Sequence, residues 1–568
     1  REGRRCPFGA HIRRLNPRDG MVLGVPWGRR IVRRGMPYTA VDENNQITDR
    51  GLVGMFLCAD LESQFEFIQH VWANQGLSAP GLRHSQDPFS SACQLATPFR
   101  FRPKESDAEV TVTVPPLTTT IGSVYLFMLG INAVKWLAEA GWQGGSSNPT
   151  SKSPALSKPD TTMDIKNFDP TSPQFNADPY RYFAAFRRQE AVSLIGRPYD
   201  TRWVFSRKLV EEVCKNEKGV FLKPGKNRGS DGVRPFSLSS EFGDGIFFMD
   251  PPRHRQVREI MDGVFKQAIA KAPETAREVA VKLLNDAKAA GQLDVIKDYA
   301  GPLASQVFFQ IMGITMGSES FVVDHWIREA MRSHDKGLRP DQRLSGGTST
   351  LALRTHLLAL GREAARGAGP SAASNARTII AGIQDSVIAQ NGMNQDEATN
   401  TAVQMAFGGY LSTEFLIGSG IYNLLRDPSQ WQLLRDGKAT MDQAISEMLR
   451  FDAPFQMADR YVEEDTTLGE FKLEGKKMFT IVYGSANRDL PDSEEPDRFN
   501  IERDAKQKHF GFGEGIHHCI GAPLGRIVTS VAIQTLLETF PGARLGAVGP
   551  WGTDPYFRTL STLQLLLR

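Results

Sequence analysis

The chain of 568 residues contains only five cysteines, Cys6, Cys58, Cys93, Cys214 and Cys519, and no two of them form a CxxC pair. That spacing gives neither a disulfide framework nor a thiolate zinc site, and it implies a reducing, cytoplasmic setting. Long apolar runs are also missing: no stretch reaches the roughly 18–20 residues that a membrane span needs. The nearest, around Val124–Val134, is interrupted by Gly130 and Asn132 and followed by Lys135, so no membrane anchor is expected. Charge of one sign is scarce as well. Lys and Arg number 67 against 64 Asp and Glu, a net charge of +3, which offers no field for nucleic acid or an anionic membrane. No flavin, nicotinamide or iron–sulfur signature is present. The sequence opens at Arg1 with no initiator methionine or signal-like segment, as expected of a piece cut from something longer.

A chain of this length calls for two or more domains. Residues 141–163 are rich in Gly, Ser, Pro and Thr and lack apolar periodicity, the composition of a flexible tether. The expected organisation is therefore a first domain over residues 1–140, a linker over 141–163 and a second domain over 164–568.

In the second domain, residues 509–526 read HFGFGEGIHHCIGAPLGR. Gly511, Gly513 and Gly515 precede Cys519, Gly521 follows it, and Leu524, Ile527, Val528 and Val531 then recur at helical spacing. Glycines allow tight turns and close approach to a flat ligand. A thiolate at a helix start is stabilised by the dipole and the unpaired amides. The spacing from Phe512 through His517 and Cys519 to Gly521 resembles the haem-binding signature of the cytochrome P-450 superfamily. That resemblance implies a mainly α fold with small β-sheets, a haem b cofactor, Cys519 as the axial iron ligand and His517 facing a haem propionate.

Other stretches extend the resemblance over about 400 residues. Asp250-Pro-Pro starts a helix with Val257, Ile260, Met261 and Val264 on one face and His254 and Arg258 one turn apart on another. The resemblance places those two side chains, together with Arg460 and His517, against the propionates. A long helix is expected from Gln395 to Arg426, with Gly408 and Gly409 in its middle. It resembles the family's oxygen-binding helix, with Gly409 and Ser412 bordering the distal oxygen site. Leu411 stands where that pattern has an acid, and a leucine can relay no proton. Glu414, one turn on, reads as an ordinary polar position. Glu447 and Arg450 at i, i+3 match the family's ExxR pair, with Arg498 as the implied third member.

The first domain opens CPFGAHIRRLNPRD and continues IVRRGMPY and GLVGMFLCADLESQFEFIQHVWAN. Gly51–Ala59 reads as a strand, Leu61–Asn74 as a helix, and Val110, Val112 and Val114 alternate as in a half-buried strand. By residue type alone, His11 and its arginines read as a surface anion patch or a core histidine. The combination resembles the C-terminal half of the dye-decolourising (DyP-type) haem peroxidases, which are ferredoxin-like α+β proteins. That implies His11 as a proximal haem ligand, with Glu66 or Asp60 as its second partner, and Arg33 as the distal arginine. The family's distal aspartate lies upstream of Arg1, so a second haem at His11 is expected only if that half is completed.

The whole then reads as a haem-thiolate oxidoreductase, a monooxygenase or peroxygenase, fused behind part of a peroxidase. Its partners would be a small organic substrate, dioxygen or hydrogen peroxide, and external redox proteins. A hydroperoxide isomerase or dehydratase, and a haem-binding module without catalysis, are the alternatives.

Overall fold

The computed structural model describes residues 165–567, apart from 167, 197, 217–218, 226–227, 229–243, 333–339, 367–376, 389–391 and 492–493, together with four strands between residues 32 and 114. The chain divides into two compact units, Arg1–Asp160 and Thr161–Arg568.

In the first unit, Val32–Val41 pairs antiparallel with Ile47–Leu57, Val32 lying opposite Leu57, with an irregularity at Ala40/Val41. Thr97–Phe101 pairs antiparallel with Val110–Val114, Thr97 lying opposite Val114. The alternating valines thus form a strand, and the Gly51–Ala59 run falls largely within Ile47–Leu57. Two separate two-stranded pairs do not by themselves make the ferredoxin-like sandwich expected there. His11, Asp60, Glu66 and the helix expected over Leu61–Asn74 lie outside the described residues.

The second unit is mainly helical, with small sheets. Its four-stranded sheet runs Val192–Ile195, Thr201–Val204, Lys477–Val482, Met457–Val462. The pairing is antiparallel at both ends and parallel in the middle, where Phe479 meets Arg202. One face packs on an aromatic cluster of Phe175, Phe183, Phe186, Trp203 and Phe205, with Phe186 and Phe205 stacked at 4.4 Å. Large rings of this kind bury the most apolar area per residue and set the position of the sheet. The outer edge of Met457–Val462 is extended by an isolated antiparallel bridge between Tyr461 and Leu222.

Around the sheet, helices form where caps and apolar spacing agree. Arg253–Ala268 follows the Pro pair and buries His254, Val257, Met261 and Phe265. Gln395–Gly409 begins with a reciprocal capping box between Asn394 and Glu397, which satisfies two otherwise unpaired amides. Arg253 reaches Glu397 at 2.6 Å and so ties these two helix starts together.

The long helix expected over Gln395–Arg426 is in fact two, Gln395–Gly409 and Leu411–Arg426, broken at Tyr410 (φ −132°, ψ −31°). Two consecutive glycines weaken the helix before the break. The Ser412 hydroxyl donates to the Gly408 carbonyl at 3.2 Å, the local back-bonding that bends helices. Gly-Ser neighbourhoods of this kind are a recurrent cause of kinks.

Candidate active site around Cys519

The Cys519 loop is shaped by contacts that only glycine permits. A Cβ on Gly511 would lie 2.7 Å from the Leu449 carbonyl, and one on Gly515, where φ is +75°, would collide with the Cys214 carbonyl. Phe510, fully buried, stacks on Tyr483 at 6.2 Å and donates its amide to Asn487 Oδ1 at 2.6 Å. The Phe512 carbonyl accepts the Cys519 amide at 2.9 Å, which closes the loop. The helix Ala522–Thr539 starts immediately after, with Gly521 at its N-cap.

Burial pushes the Cys519 thiol up, while the backbone N–H groups of Gly521 and Ala522 and the charge of Arg258 pull it down. The sulfur is thus aimed at by two helix-start amides, as a thiolate ligand requires. Although surrounded by protein, the residue keeps accessible surface, so an iron could reach it. Among the described residues no cluster of three or more His, Cys, Asp or Glu side chains could hold a bare metal ion; a haem iron needs only the one thiolate.

Basic side chains gather on one side of this loop. The rings of His254 and His517 lie 4.1 Å apart. His254 is 2% exposed, and its Nδ1 is buried with no hydrogen-bond partner. Burial, then the charges of Arg258 and Lys223, push His254 down to about 4. Burial and Lys223, then His254 and Arg460, likewise drive His517 far below the ordinary range. Arg460 is 4% exposed; it donates to the Asp459 carbonyl at 2.9 Å and contacts the Tyr483 hydroxyl. Arg258 donates to the His518 carbonyl at 2.7 Å and to Asp262 at 2.8 Å, so it also braces the cysteine loop. A buried arginine beside two desolvated imidazoles, one with an orphaned ring nitrogen, is costly alone. Two carboxylates would neutralise it. The donor set, one accessible thiol beside one basic cluster, fits a dianionic haem.

A pH dependence follows for the protein without haem. The folded His254 value lies below its ordinary 6.5, so the unfolded chain takes up the proton first. The stability it contributes is present above about 6.5 and lost as the pH falls through about 4. Thermal midpoints of the apoprotein are expected to drop over that window, and His254→Gln to flatten the drop. An unchanged slope in the variant would assign the dependence to another group.

The other sequence-predicted residues are distributed as follows. Phe512 flanks Gly525 of the Ala522–Thr539 helix and has Arg526 5.5 Å over its ring. Gly409 and Ser412 sit at the helix break. A Cβ on Gly409 would strike the ring of Phe308, so this glycine receives a core phenylalanine. Glu414 is not an ordinary polar position: it is 4% exposed and paired with Arg328 at 2.7 Å. Arg328 also bonds Asp324, which accepts the Tyr410 hydroxyl at 2.6 Å. Arg33 lies on the strand Val32–Val41, opposite Phe56.

Glu447 and Arg450 form a two-pronged buried pair at 2.7 and 2.8 Å. The expected third member is corrected: the Arg498 side chain is exposed and pairs with Glu495, and only its carbonyl reaches Arg450, at 3.1 Å. Arg503 occupies the place instead, 3.3 Å from Glu447. The chain turns over residues 495–498, with Arg498 N–H donating to the Glu495 carbonyl, and points the Arg498 side chain outward. Sequence reasoning missed Arg503, Asp324, Arg328 and Lys223, because each meets its partners through the tertiary fold.

The cytochrome P-450 family model matches residues 439–544, from the start of the ExxR helix to beyond the cysteine loop. The fold is that of a cytochrome P-450. Among solved structures, that of CalO2 is similar at 28% identity and a TM-score of 0.61, over 71% of this chain and 98% of that one. The 6-deoxyerythronolide B hydroxylase of Saccharopolyspora erythraea is 24% identical over 66% of this chain and 92% of its own length. The vitamin D(3) 25-hydroxylase of Pseudonocardia autotrophica is 27% identical over 68% and 93%. Together these likenesses agree with a cytochrome P-450 fold for the second unit. No helix among the described residues is long and apolar enough to cross a membrane.

Proposed function

We propose that the second unit is a haem-thiolate monooxygenase that oxidises a small, apolar organic molecule with dioxygen, drawing electrons from separate redox proteins. The observation that carries this reading is the Cys519 sulfur, accessible, bonded by the Gly521 and Ala522 amides, and set beside the basic cluster of His254, His517 and Arg460. Relatives named as hydroxylases support the reaction class. When bound, the haem supplies oxidant activation, and an electron-rich thiolate favours O–O cleavage. The protein's part is to hold the thiolate, to bind the carboxylates through the charge of Arg460 and N–H donors on His254 and His517, and to shape the distal side with the broken helix at Tyr410.

One feature favours peroxide as an alternative oxidant. Leu411 is 2% exposed and carries no proton, and Ser412 gives its proton to the Gly408 carbonyl. Glu414, the nearest acid in sequence, is tied to Arg328. A ready proton relay is therefore missing from these three positions, and hydrogen peroxide arrives already carrying two electrons and two protons. On the peroxide alternative, product formation driven by hydrogen peroxide matches or exceeds that driven by a surrogate reductase pair under air. Tight coupling to the reductase with no peroxide activity would overturn the peroxide reading and leave the monooxygenase.

For residues 1–140 we propose part of a DyP-type peroxidase joined through the linker 141–163, with His11 as proximal ligand and Arg33 as distal cation. The sequence motifs support this reading. A tether of that kind raises the effective concentration of one site near the other to the order of mM.

A further inference from the structure

Lys223 is the cation for which the haem reading has no assigned role. Its backbone neighbour Leu222 forms a two-way bridge with Tyr461, the amides and carbonyls meeting at 2.8 and 2.9 Å. In that antiparallel register Lys223 falls opposite Arg460, a like-charge pairing that destabilises strands. Lys223 also lies within electrostatic reach of His254 and His517. Among the described residues, the acids that act on it, Asp250 and Asp459, are engaged by other partners and offset it only in part. Asp250 pairs with Arg228 and accepts the Lys223 backbone amide at 3.2 Å. Asp459 accepts the hydroxyls of Thr480 at 2.6 Å and Tyr556 at 2.7 Å. Burial, then Arg460, holds the Lys223 amine well below the usual lysine range.

We propose that Lys223 is a further anchor for the haem carboxylates, facing Arg460 across the same anion, so that the cofactor removes a repulsion built into the apoprotein. The proposal rests on Cys519 holding a haem. A lysine suits the role because its flexible stem lets one ammonium reach either carboxylate. A charge-assisted contact of this kind is worth enough to be read in affinity.

The test uses the 568-residue apoprotein, wild type, Lys223→Met and Lys223→Arg, reconstituted with haem and, in parallel, with haem dimethyl ester, whose side chains carry no charge. Lys223→Met is expected to weaken haem binding about tenfold or more and to leave the dimethyl ester affinity nearly unchanged. Its apoprotein thermal midpoint should stay equal or rise, because the repulsion with Arg460 is gone, and Lys223→Arg should recover most of the haem affinity. In the reconstituted holoprotein the propionate bending bands in the resonance Raman spectrum should shift with Lys223→Met. Equal losses for haem and the dimethyl ester, or no loss for either, would overturn the proposal. A wild type that takes up haem without a thiolate spectrum would instead overturn the assignment of Cys519, a result separable from the first because it needs no variant.

Discussion

Cys519→Ser is expected to fold and yet to lose the thiolate-shifted absorption of the reduced, carbon-monoxide-bound protein completely. The substitution leaves the loop's own contacts in place: the residue keeps accessible surface, and its loop is closed by backbone, through the Cys519 amide and the Phe512 carbonyl. What changes is the ligand. A serine oxygen has a far higher pKa than a thiol and cannot supply the soft, electron-rich donor. Substrate oxidation should fall to background with the band. A haem bound at His11 would give a histidine-type spectrum that survives this substitution, so the same sample also reads the proposal for the first unit. Retention of the thiolate-shifted band in the serine variant would remove the basis of the functional reading.

Glu447→Ala is expected to cost about 3–5 kcal/mol, because it leaves a buried guanidinium without its partner. Against a total stability of about 5–15 kcal/mol, most of the chain should then fail to accumulate as folded protein. The magnitude follows from the burial. The side chains of Arg450 and Glu447 are 3% and 1% exposed. Glu447 also accepts the Asn500 amide at 2.8 Å and pairs with Arg503. Arg450 in turn donates to the Pro496 and Arg498 carbonyls at 2.8 and 3.1 Å. The pair therefore fixes the segment 496–503 against the Met441–Phe451 helix. Arg498→Ala, at an exposed side chain, should change stability by no more than about 0.5 kcal/mol. Denaturant titrations of the two variants check both; comparable losses would restore Arg498 to the network and remove the distinction from Arg503.

The parts of this site legible in the sequence are those whose chemistry is local. Gly511, Gly513, Gly515, Cys519 and the helix that follows lie within thirty residues of one another, and their backbone demands can be read from residue type alone. Glu447 and Arg450 share one helical turn, and His254 and Arg258 another. The break at Tyr410 was half visible: Gly408 and Gly409 mark a weak point, but the single helix expected there ignores the back-bonding of Ser412 and the pull of Asp324 on Tyr410. Glu414 looked ordinary because its partner Arg328 is 86 residues away.

The sequence by itself determined the cysteine loop, the helix-start amides that serve the sulfur, and the ExxR pair, because each is built from neighbours along the chain and fixed by backbone geometry. Tertiary structure alone decided that Arg503 rather than Arg498 completes the buried triad, that Gly409 receives Phe308, and that Lys223 stands opposite Arg460. Those outcomes depend on which distant segment a sheet edge or a turn brings alongside, and charge repulsion or ring packing acts only once that approach has been made.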